Sequence, residues 1–110
     1  MRTEILIRDF SFKLRKLNRL QLQILAFIIW QPNETVQLRA IVEKFPQFGS
    51  KTIEWCVGEL EKLQCPVIVD GAGTSLEYTV YTEWNRTTND SIVSISPILR
   101  GSIDEALRLL

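Results

Sequence analysis

Residues 35–82 read TVQLRAIVEKFPQFGSKTIEWCVGELEKLQCPVIVDGAGTSLEYTVYT, and this stretch contains the most informative pattern for the fold. Apolar residues recur at helical spacing from its fourth position, which predicts a short helix over about residues 37–45. The letters FPQFG then indicate a turn, in which Gly49 provides the backbone freedom that a turn needs. Ser50 is placed to cap a second helix, which extends to about residue 64 and has one apolar face.

A β-hairpin follows the second helix. Val67–Asp70 is rich in β-formers, Gly71–Gly73 supplies a turn, and Leu76–Thr82 alternates apolar and polar residues as a return strand does. A short extended segment, Glu34–Val36, precedes the first of the two helices. The pattern therefore predicts helix, turn, helix and two-stranded ribbon in direct succession.

The chain before this stretch predicts an arm and a central helix. Asn18 and Gln21 have the spacing of a capping box, which predicts a helix over about residues 19–31. The apolar run Ile24–Trp30 predicts that this helix is buried on most sides. Thr3–Leu14 alternates loosely and predicts a strand or an extended arm.

The chain after the hairpin predicts a loop, a strand and a helix. Glu83–Asp90 is polar and predicts the loop, and Ile92–Ile95 predicts the short strand. Ser102 and Glu105 have capping-box spacing, which predicts a last helix over residues 103–110.

The tracts LRAIVEKFP, GSKTIEWCVGELEKL and VIVDGAGTSLEYTV, in this order, resemble the winged helix-turn-helix superfamily. The resemblance implies an α+β winged helix, with a three-helix helix-turn-helix core and a β-hairpin wing. Residues 1–110 then form one domain. Its parts are an N-terminal strand or arm over 1–17, the winged-helix core over 18–82 and a C-terminal strand-helix extension over 83–110.

Winged helices commonly bind duplex DNA, so the resemblance implies a small regulator of transcription or replication. The exposed N-terminal residues of the second motif helix, the recognition helix, enter the major groove in such folds. The matching positions of this chain hold Ser50, Lys51, Thr52, Glu54 and Trp55. The resemblance further implies that Gln47 and Ser50 donate to phosphates and that Lys51 reaches a phosphate or a guanine edge.

Charge is distributed unevenly along a chain that is neutral overall, with 13 basic and 13 acidic residues. Residues 1–20 carry six basic and two acidic residues, whereas residues 21–110 carry seven and eleven. The basic candidates for DNA contact in the first part are Arg8, Lys13, Arg15, Lys16 and Arg19. No basic residue lies between Lys62 and Arg86, so the predicted wing is acidic and binding to DNA would depend on the basic start. An ordinary solvated surface is the alternative interpretation of that start.

An adaptor that binds a protein and not DNA is the alternative function. Trp55, Tyr81 and Trp84 are its candidate anchors, because Trp and Tyr are enriched at interaction hot spots. Packing within the domain is the competing interpretation for Trp55. A homodimer through the N-terminal arm or the last helix fits either function, since a strand paired across a two-fold axis hides an exposed edge.

The composition argues against an enzyme. Histidine is absent, no glycine-rich phosphate loop is present, and the spacing of Cys56 and Cys65 fits no metal motif. We expect a buried thiol at Cys56, and no catalytic residue, metal, cofactor or small-molecule substrate. The apolar stretch LQILAFIIW is shorter than the ~20 residues that span a bilayer. No signal peptide is recognisable, so we expect a cytoplasmic protein that does not enter the membrane.

Overall fold

The computed structural model describes residues 3–5, 13–69 and 73–108. These residues form an α+β fold, as the sequence predicts. In chain order the elements are β1 (Thr3–Ile5), α1 (Arg19–Ile29), β2 (Thr35–Gln37), α2 (Leu38–Lys44), α3 (Ser50–Glu61), β3 (Gln64–Val69), β4 (Gly73–Tyr78), β5 (Val80–Asn85), β6 (Asp90–Ile95) and α4 (Arg100–Arg108). Short 3₁₀ turns, Pro32–Glu34 and Pro97–Leu99, precede β2 and α4.

The start of α1 is fixed by the capping box that the sequence predicts. The Gln21 N–H donates to Asn18 Oδ1 at 2.8 Å, and the Asn18 N–H donates to Gln21 Oε1 at 3.0 Å. These two bonds satisfy backbone donors that the first turn of a helix otherwise leaves unpaired.

The prediction that the run Ile24–Trp30 is buried on most sides is wrong at its end. Ile24, Leu25 and Ile28 are fully buried, but Trp30 exposes 74% of its surface. With about 3.6 residues per turn, Trp30 lies on the side of α1 opposite the buried residues. An apolar run shows how hydrophobic a helix is but does not show which of its sides meets the core.

Two predicted helix caps differ in the structure. Gly49, and not Ser50, is the N-cap residue of α3, so Ser50 is the first helical residue. Ser102 lies inside α4, because the 3₁₀ turn at Pro97–Leu99 has already wound the chain and the helix starts at Arg100. Residues 109–110 of the predicted last helix lie outside the described part.

The predicted hairpin forms as β3–β4 within a first antiparallel sheet, whose strand order is β1-β3-β4. Its tip, residues 70–72, lies outside the described residues. The return strand ends at Tyr78 and not at Thr82, because the chain crosses to a second sheet at the buried Thr79. The Thr79 N–H donates to the Leu63 carbonyl, and its own carbonyl accepts from the Ser96 N–H.

The second antiparallel sheet has the order β2-β6-β5 and corrects the prediction of a loop over 83–90. β5 continues to Asn85, which pairs with Asp90, and only residues 86–89 form a turn. The polar letters of this stretch belong to a strand at the edge of a sheet, where side chains meet solvent. On its other side β6 pairs with β2, with Val36 opposite Val93.

The hydrophobic core lies between the helices and the inner face of the second sheet. The sheet contributes Val36, Val80, Val93 and Ile95. Leu99 and Ile103, from the segment after the sheet, have no exposed surface and belong to the same core. The strand predicted over 92–95 is therefore part of the packed structure that positions α3.

Candidate nucleic-acid interface

The exposed part of α3 carries the residues that the winged-helix resemblance assigns to a recognition helix. The helix is anchored by the buried residues Ile53, Cys56, Val57 and Leu60. Its remaining surface exposes Ser50, Lys51, Thr52, Glu54 and Trp55, and Gln47 is exposed in the turn before it. All six predicted residues are therefore accessible to a ligand.

A basic and aromatic ridge runs along the outer side of α3. With about 3.6 residues per turn, Lys51, Trp55 and Lys62 follow one another along this side. Trp55 exposes 59% of its surface, so packing within the domain is not its role. Lys62 Nζ lies 3.0 Å from Glu59 Oε1, which offsets part of its charge. Lys51 at the N-terminal end is the ridge residue best placed for an anion.

The flank of α3 that faces β5 is acidic. Glu54 and Glu61 line a groove of about 250 Å³ between α3 and the second sheet, together with Gly58 and Thr82. The Thr82 hydroxyl donates to Glu61 Oε1. Carboxylates on this flank repel phosphate, so a bound duplex would centre on the ridge and not on the groove.

The basic segment before α1 lies against the opposite flank of α3. Burial raises the pKa of the Cys56 thiol of α3, and the neighbouring Asn18 side chain offsets part of that rise. Lys13 Nζ donates to the Gln64 carbonyl at 2.7 Å and so holds the segment to β3. Arg15, Lys16 and Arg19 are exposed. Arg8, the remaining basic candidate, lies outside the described residues.

The turn between β5 and β6 adds a basic residue that the sequence pattern did not single out. Arg86 is exposed at the start of the turn 86–89. Asn85 Oδ1 accepts from the Thr87 N–H at 2.9 Å and from the Thr88 N–H at 3.3 Å, which fixes the turn. The signal that could have found Arg86 is a lone cation in an Asn- and Thr-rich turn between two β-rich runs.

A side chain from β6 ties this turn to the start of α2. Asp90 Oδ2 accepts the Arg39 N–H at 3.0 Å. Arg39 is in the first turn of α2, where backbone donors lack helical partners, so Asp90 caps the helix from another element. The contact brings the Arg39 backbone and the β5–β6 turn to the same end of the second sheet.

A second exposed surface lies on the outer side of α1. Trp30 borders a groove of about 510 Å³ that is also lined by Phe27, Lys44 and Phe45. The rings of Phe27 and Phe45 meet edge to face with centroids 6.3 Å apart, and Lys44 Nζ lies 5.9 Å from the Phe27 centroid. This surface was missed in the sequence because Phe27 and Trp30 are part of the apolar run assigned to the core.

The two other predicted protein anchors are exposed on β5. Trp84 exposes 59% of its surface and Tyr81 exposes 43%. The Tyr81 hydroxyl donates to Glu77 Oε1 at 2.5 Å, and this bond is the main reason that the pKa of Tyr81 is raised to about 12. Tyr81 is therefore neutral and fixed in place near neutral pH, whereas Trp84 is open to a partner.

Both cysteines are buried thiols. Burial raises the pKa of Cys65 to about 11, and burial also raises the pKa of Cys56. The thiolate is the reactive form of cysteine, so these sulfurs are poor nucleophiles near neutral pH.

Within 3–5, 13–69 and 73–108, no three His, Cys, Asp or Glu residues are grouped as metal ligands. None of the helices in the described part of the chain is long and apolar enough to cross a membrane.

Comparison with known proteins adds no assignment. No protein-family model matches this chain, and a search of curated proteins finds no significant match. The features of the chain that bear on its function are the strand pairing and the surface around α3.

Proposed function

We propose that this protein is a winged helix that binds duplex DNA, and that the β5–β6 hairpin is its wing. The pairing of β6 with β2 is the observation that supports this proposal. β2 leads directly into α2, so this ladder attaches the β5–β6 hairpin to the helix-turn-helix unit formed by α2 and α3. The β3–β4 hairpin, which the sequence favours as the wing, is joined to β1 instead.

The choice of wing reverses the charge expected at its tip. The β3–β4 hairpin carries Asp70 and Glu77 and has no basic residue. The β5–β6 turn presents Arg86 to solvent instead. An exposed arginine at a hairpin tip suits a phosphate or the narrow groove of a duplex, where the negative potential is concentrated.

In this proposal the DNA surface has three parts arranged around α3. The ridge with Lys51 and Trp55 lies in the centre, the Arg86 turn projects on the β5 side, and the basic segment with Arg15 and Arg19 lies on the opposite flank. Glu54 is an exposed acid close to the ridge, and a carboxylate at a recognition helix accepts from the cytosine amino group. Phosphate contacts would come from the two flanks, and base contacts from α3.

The experiment is fluorescence anisotropy with a short mixed-sequence duplex over a salt series. Affinity should fall steeply between about 50 and 200 mM salt, because each phosphate contact releases counterions. Arg86→Ala should lower the slope of log affinity against log salt by about 1. Arg108→Ala is the matched control, since it removes an exposed cation from α4 that pairs with Asp104. The slope should not change in the control.

Sequence preference is expected to reside in α3. Lys51→Ala and Thr52→Ala should alter the ranking of duplexes, whereas Arg15→Ala and Arg19→Ala should weaken all duplexes alike. Absence of binding at tens of micromolar protein in low salt would refute the proposal.

A protein adaptor is the second candidate function, and the exposure of the tryptophans favours it. Trp55 and Trp84 each expose 59% of their surface, so neither is a core residue. For an adaptor, Trp55→Ala or Trp84→Ala should leave the circular dichroism spectrum and the melting temperature unchanged and abolish copurification of one defined protein. Retention of that protein by both variants would count against these anchors.

A further inference from the structure

β5 is a six-residue edge strand whose outer side has no neighbouring strand in the described part of the chain. Natural edge strands are usually blunted by proline, lysine or a bulge, because an open edge is a template for another strand. β5 contains no proline and no lysine, and its register with β6 runs without a bulge from Val80 to Asn85. The edge is therefore able to accept a further strand.

The hydrogen-bonding pattern shows which residues face this edge. The Ser96 N–H donates to the Thr79 carbonyl at 3.1 Å, and these two residues are opposite one another when the β5–β6 register is extended by one position. Hydrogen-bonded pairs recur at every second position of an antiparallel ladder. Val80, Thr82 and Trp84 therefore direct their backbone groups away from β6 and toward the open edge.

Space for the side chains of an added strand lies next to the edge. Thr82 lines the groove of about 250 Å³ beside α3, and Ser91, opposite Trp84, lines it as well. Trp84 comes two positions after Thr82 in the strand, so both side chains lie on the sheet face that α3 covers. Gly58 leaves the helix side of the groove open, since a β-carbon added there would meet no atom within 4 Å.

We propose that a second copy of this chain adds its β5 to this edge in antiparallel orientation, around a two-fold axis at Thr82. Two registers of this β5–β5 pairing join five residues of each strand and keep the inner faces of both sheets on the same side. One register is centred on Thr82 and the other on Glu83. The register at Glu83 sets two like charges directly opposite each other, which is destabilising. The register at Thr82 sets Tyr81 opposite Glu83 and Val80 opposite Trp84, and it contains no like-charge pair between the two strands.

This dimer explains three features that the described part of the single chain leaves without a role. It pairs the open backbone groups at Thr82, it covers the exposed indole of Trp84, and it fills space beside Gly58. The contact is isologous, so it closes at two copies and does not propagate into a fibre. It makes no use of the α3 ridge and does not depend on DNA binding.

The experiment is sedimentation equilibrium of the full chain over a wide concentration range, without DNA. The wild type should show a monomer–dimer equilibrium with a dissociation constant on the order of micromolar. Trp84→Ala should weaken the dimer at least ~10-fold, as loss of a buried aromatic anchor does. Trp55→Ala is the matched control, because Trp55 has the same 59% exposure but lies on the outer ridge of α3. This control should dimerise like the wild type.

A second measurement tests the axis and keeps the fold intact. Thr82→Cys should crosslink to a dimer with a short bis-maleimide, because the two introduced thiols meet at the axis. Thr52→Cys, an equally small change at an exposed position of α3, should not crosslink. The native cysteines are buried, so crosslinking of the wild type measures the background of the experiment.

Three results would overturn the proposal. The first is a wild-type chain that stays monomeric at hundreds of micromolar, which is far above the expected dissociation constant. The second is a Trp55→Ala variant that weakens the dimer as much as Trp84→Ala does. The third is failure of Thr82→Cys to crosslink under conditions in which the protein sediments as a dimer.

Discussion

The two hairpins of this protein have similar lengths and different attachments. β3–β4 pairs with the short strand β1, and its described edge residues Leu76 and Tyr78 expose 56% and 47% of their surface. β5–β6 pairs with β2 and contributes Val93 and Ile95 to the core. The first hairpin has the stronger turn signal in the sequence, and the second is the one joined to the strand that leads into α2.

A local hairpin signal and a structural role are therefore separate properties. Gly-rich turns and alternating residues determine where a hairpin forms. The partner strand and the side chains of the inner face determine what the hairpin supports. Variants that act on one hairpin at a time can test this distinction.

The largest effect is expected from the inner face of β6. Ile95→Ala should lower the free energy of unfolding by about 2–4 kcal/mol, because it leaves a cavity beneath the second sheet. Ile95 exposes 2% of its surface. The matched change in the other hairpin, Leu76→Ala, should cost less than ~0.5 kcal/mol, since Leu76 is largely exposed. Urea unfolding measures both values. Equal losses in the two variants would contradict the assignment of the core to β5–β6.

A smaller effect is expected where β6 caps α2. Asp90→Ala removes the acceptor of the Arg39 N–H and should lower the free energy of unfolding by ~1 kcal/mol, which is typical for loss of a helix cap. Asp104→Ala, which breaks only the exposed ion pair with Arg108 on α4, is the control and should cost less than ~0.5 kcal/mol. If chemical denaturation ranks the two variants in the opposite order, the contact between β6 and α2 does not stabilise the fold.

The smallest effect is expected at the bond between the hairpins. Tyr81 of β5 donates to Glu77 of β4, and mainly because of this bond the folded-state pKa of Tyr81 is about 12, above its ordinary value of 10.0. The stabilisation is therefore fully present below pH 10.0 and is lost as the pH rises through about 12. Tyr81→Phe should cost less than ~1 kcal/mol near neutral pH, because the group is well solvated.

The pH profile gives this last prediction its own signature. Between about pH 10 and about pH 12, the free energy of unfolding of Tyr81→Phe should fall less than that of the wild type. Burial also raises the pKa of Cys65 to about 11, so both proteins share a residual alkaline dependence. Tyr78→Phe is the control, since it removes a neighbouring phenol and leaves the bond to Glu77. Parallel profiles for the wild type and Tyr81→Phe would show that the bond does not link the hairpins.

The positions of the helices could be predicted from the sequence because the signals for them are local. The capping box at Asn18 and Gln21 and the apolar spacing of α2 and α3 each involve residues within a few positions of one another. The pairing of β2 with β6 could not be predicted in this way, since Thr35 and Ser94 are far apart in the chain. The pattern of apolar and polar residues identifies a strand, but only the packing of the whole chain determines which strand pairs with it.

The candidate site shows the same division. The resemblance implies that Ser50 and Lys51 are exposed, and the structure exposes both. For Trp55 the sequence left packing within the domain open, and its exposure in the structure decides against that alternative. The position of the β5–β6 turn, which carries Arg86, depends on the long-range ladder and on the contact from Asp90 to the start of α2, so the linear sequence did not suggest it. The bond from Lys13 to the Gln64 carbonyl is likewise a contact between distant segments. Lys13, which the sequence predicts to contact DNA, therefore has a hydrogen-bond partner within the fold.

The placement of the indoles has a spectroscopic consequence. The chain contains three tryptophans, and Trp30, Trp55 and Trp84 expose 74%, 59% and 59% of their surfaces. The folded protein already has hydrated fluorophores, so its emission should shift little on unfolding. Each indole lies on a different element, namely the end of α1, the ridge of α3 and the edge strand β5. Single-tryptophan proteins made from this chain would therefore report, by quenching with iodide, which of its surfaces a ligand covers.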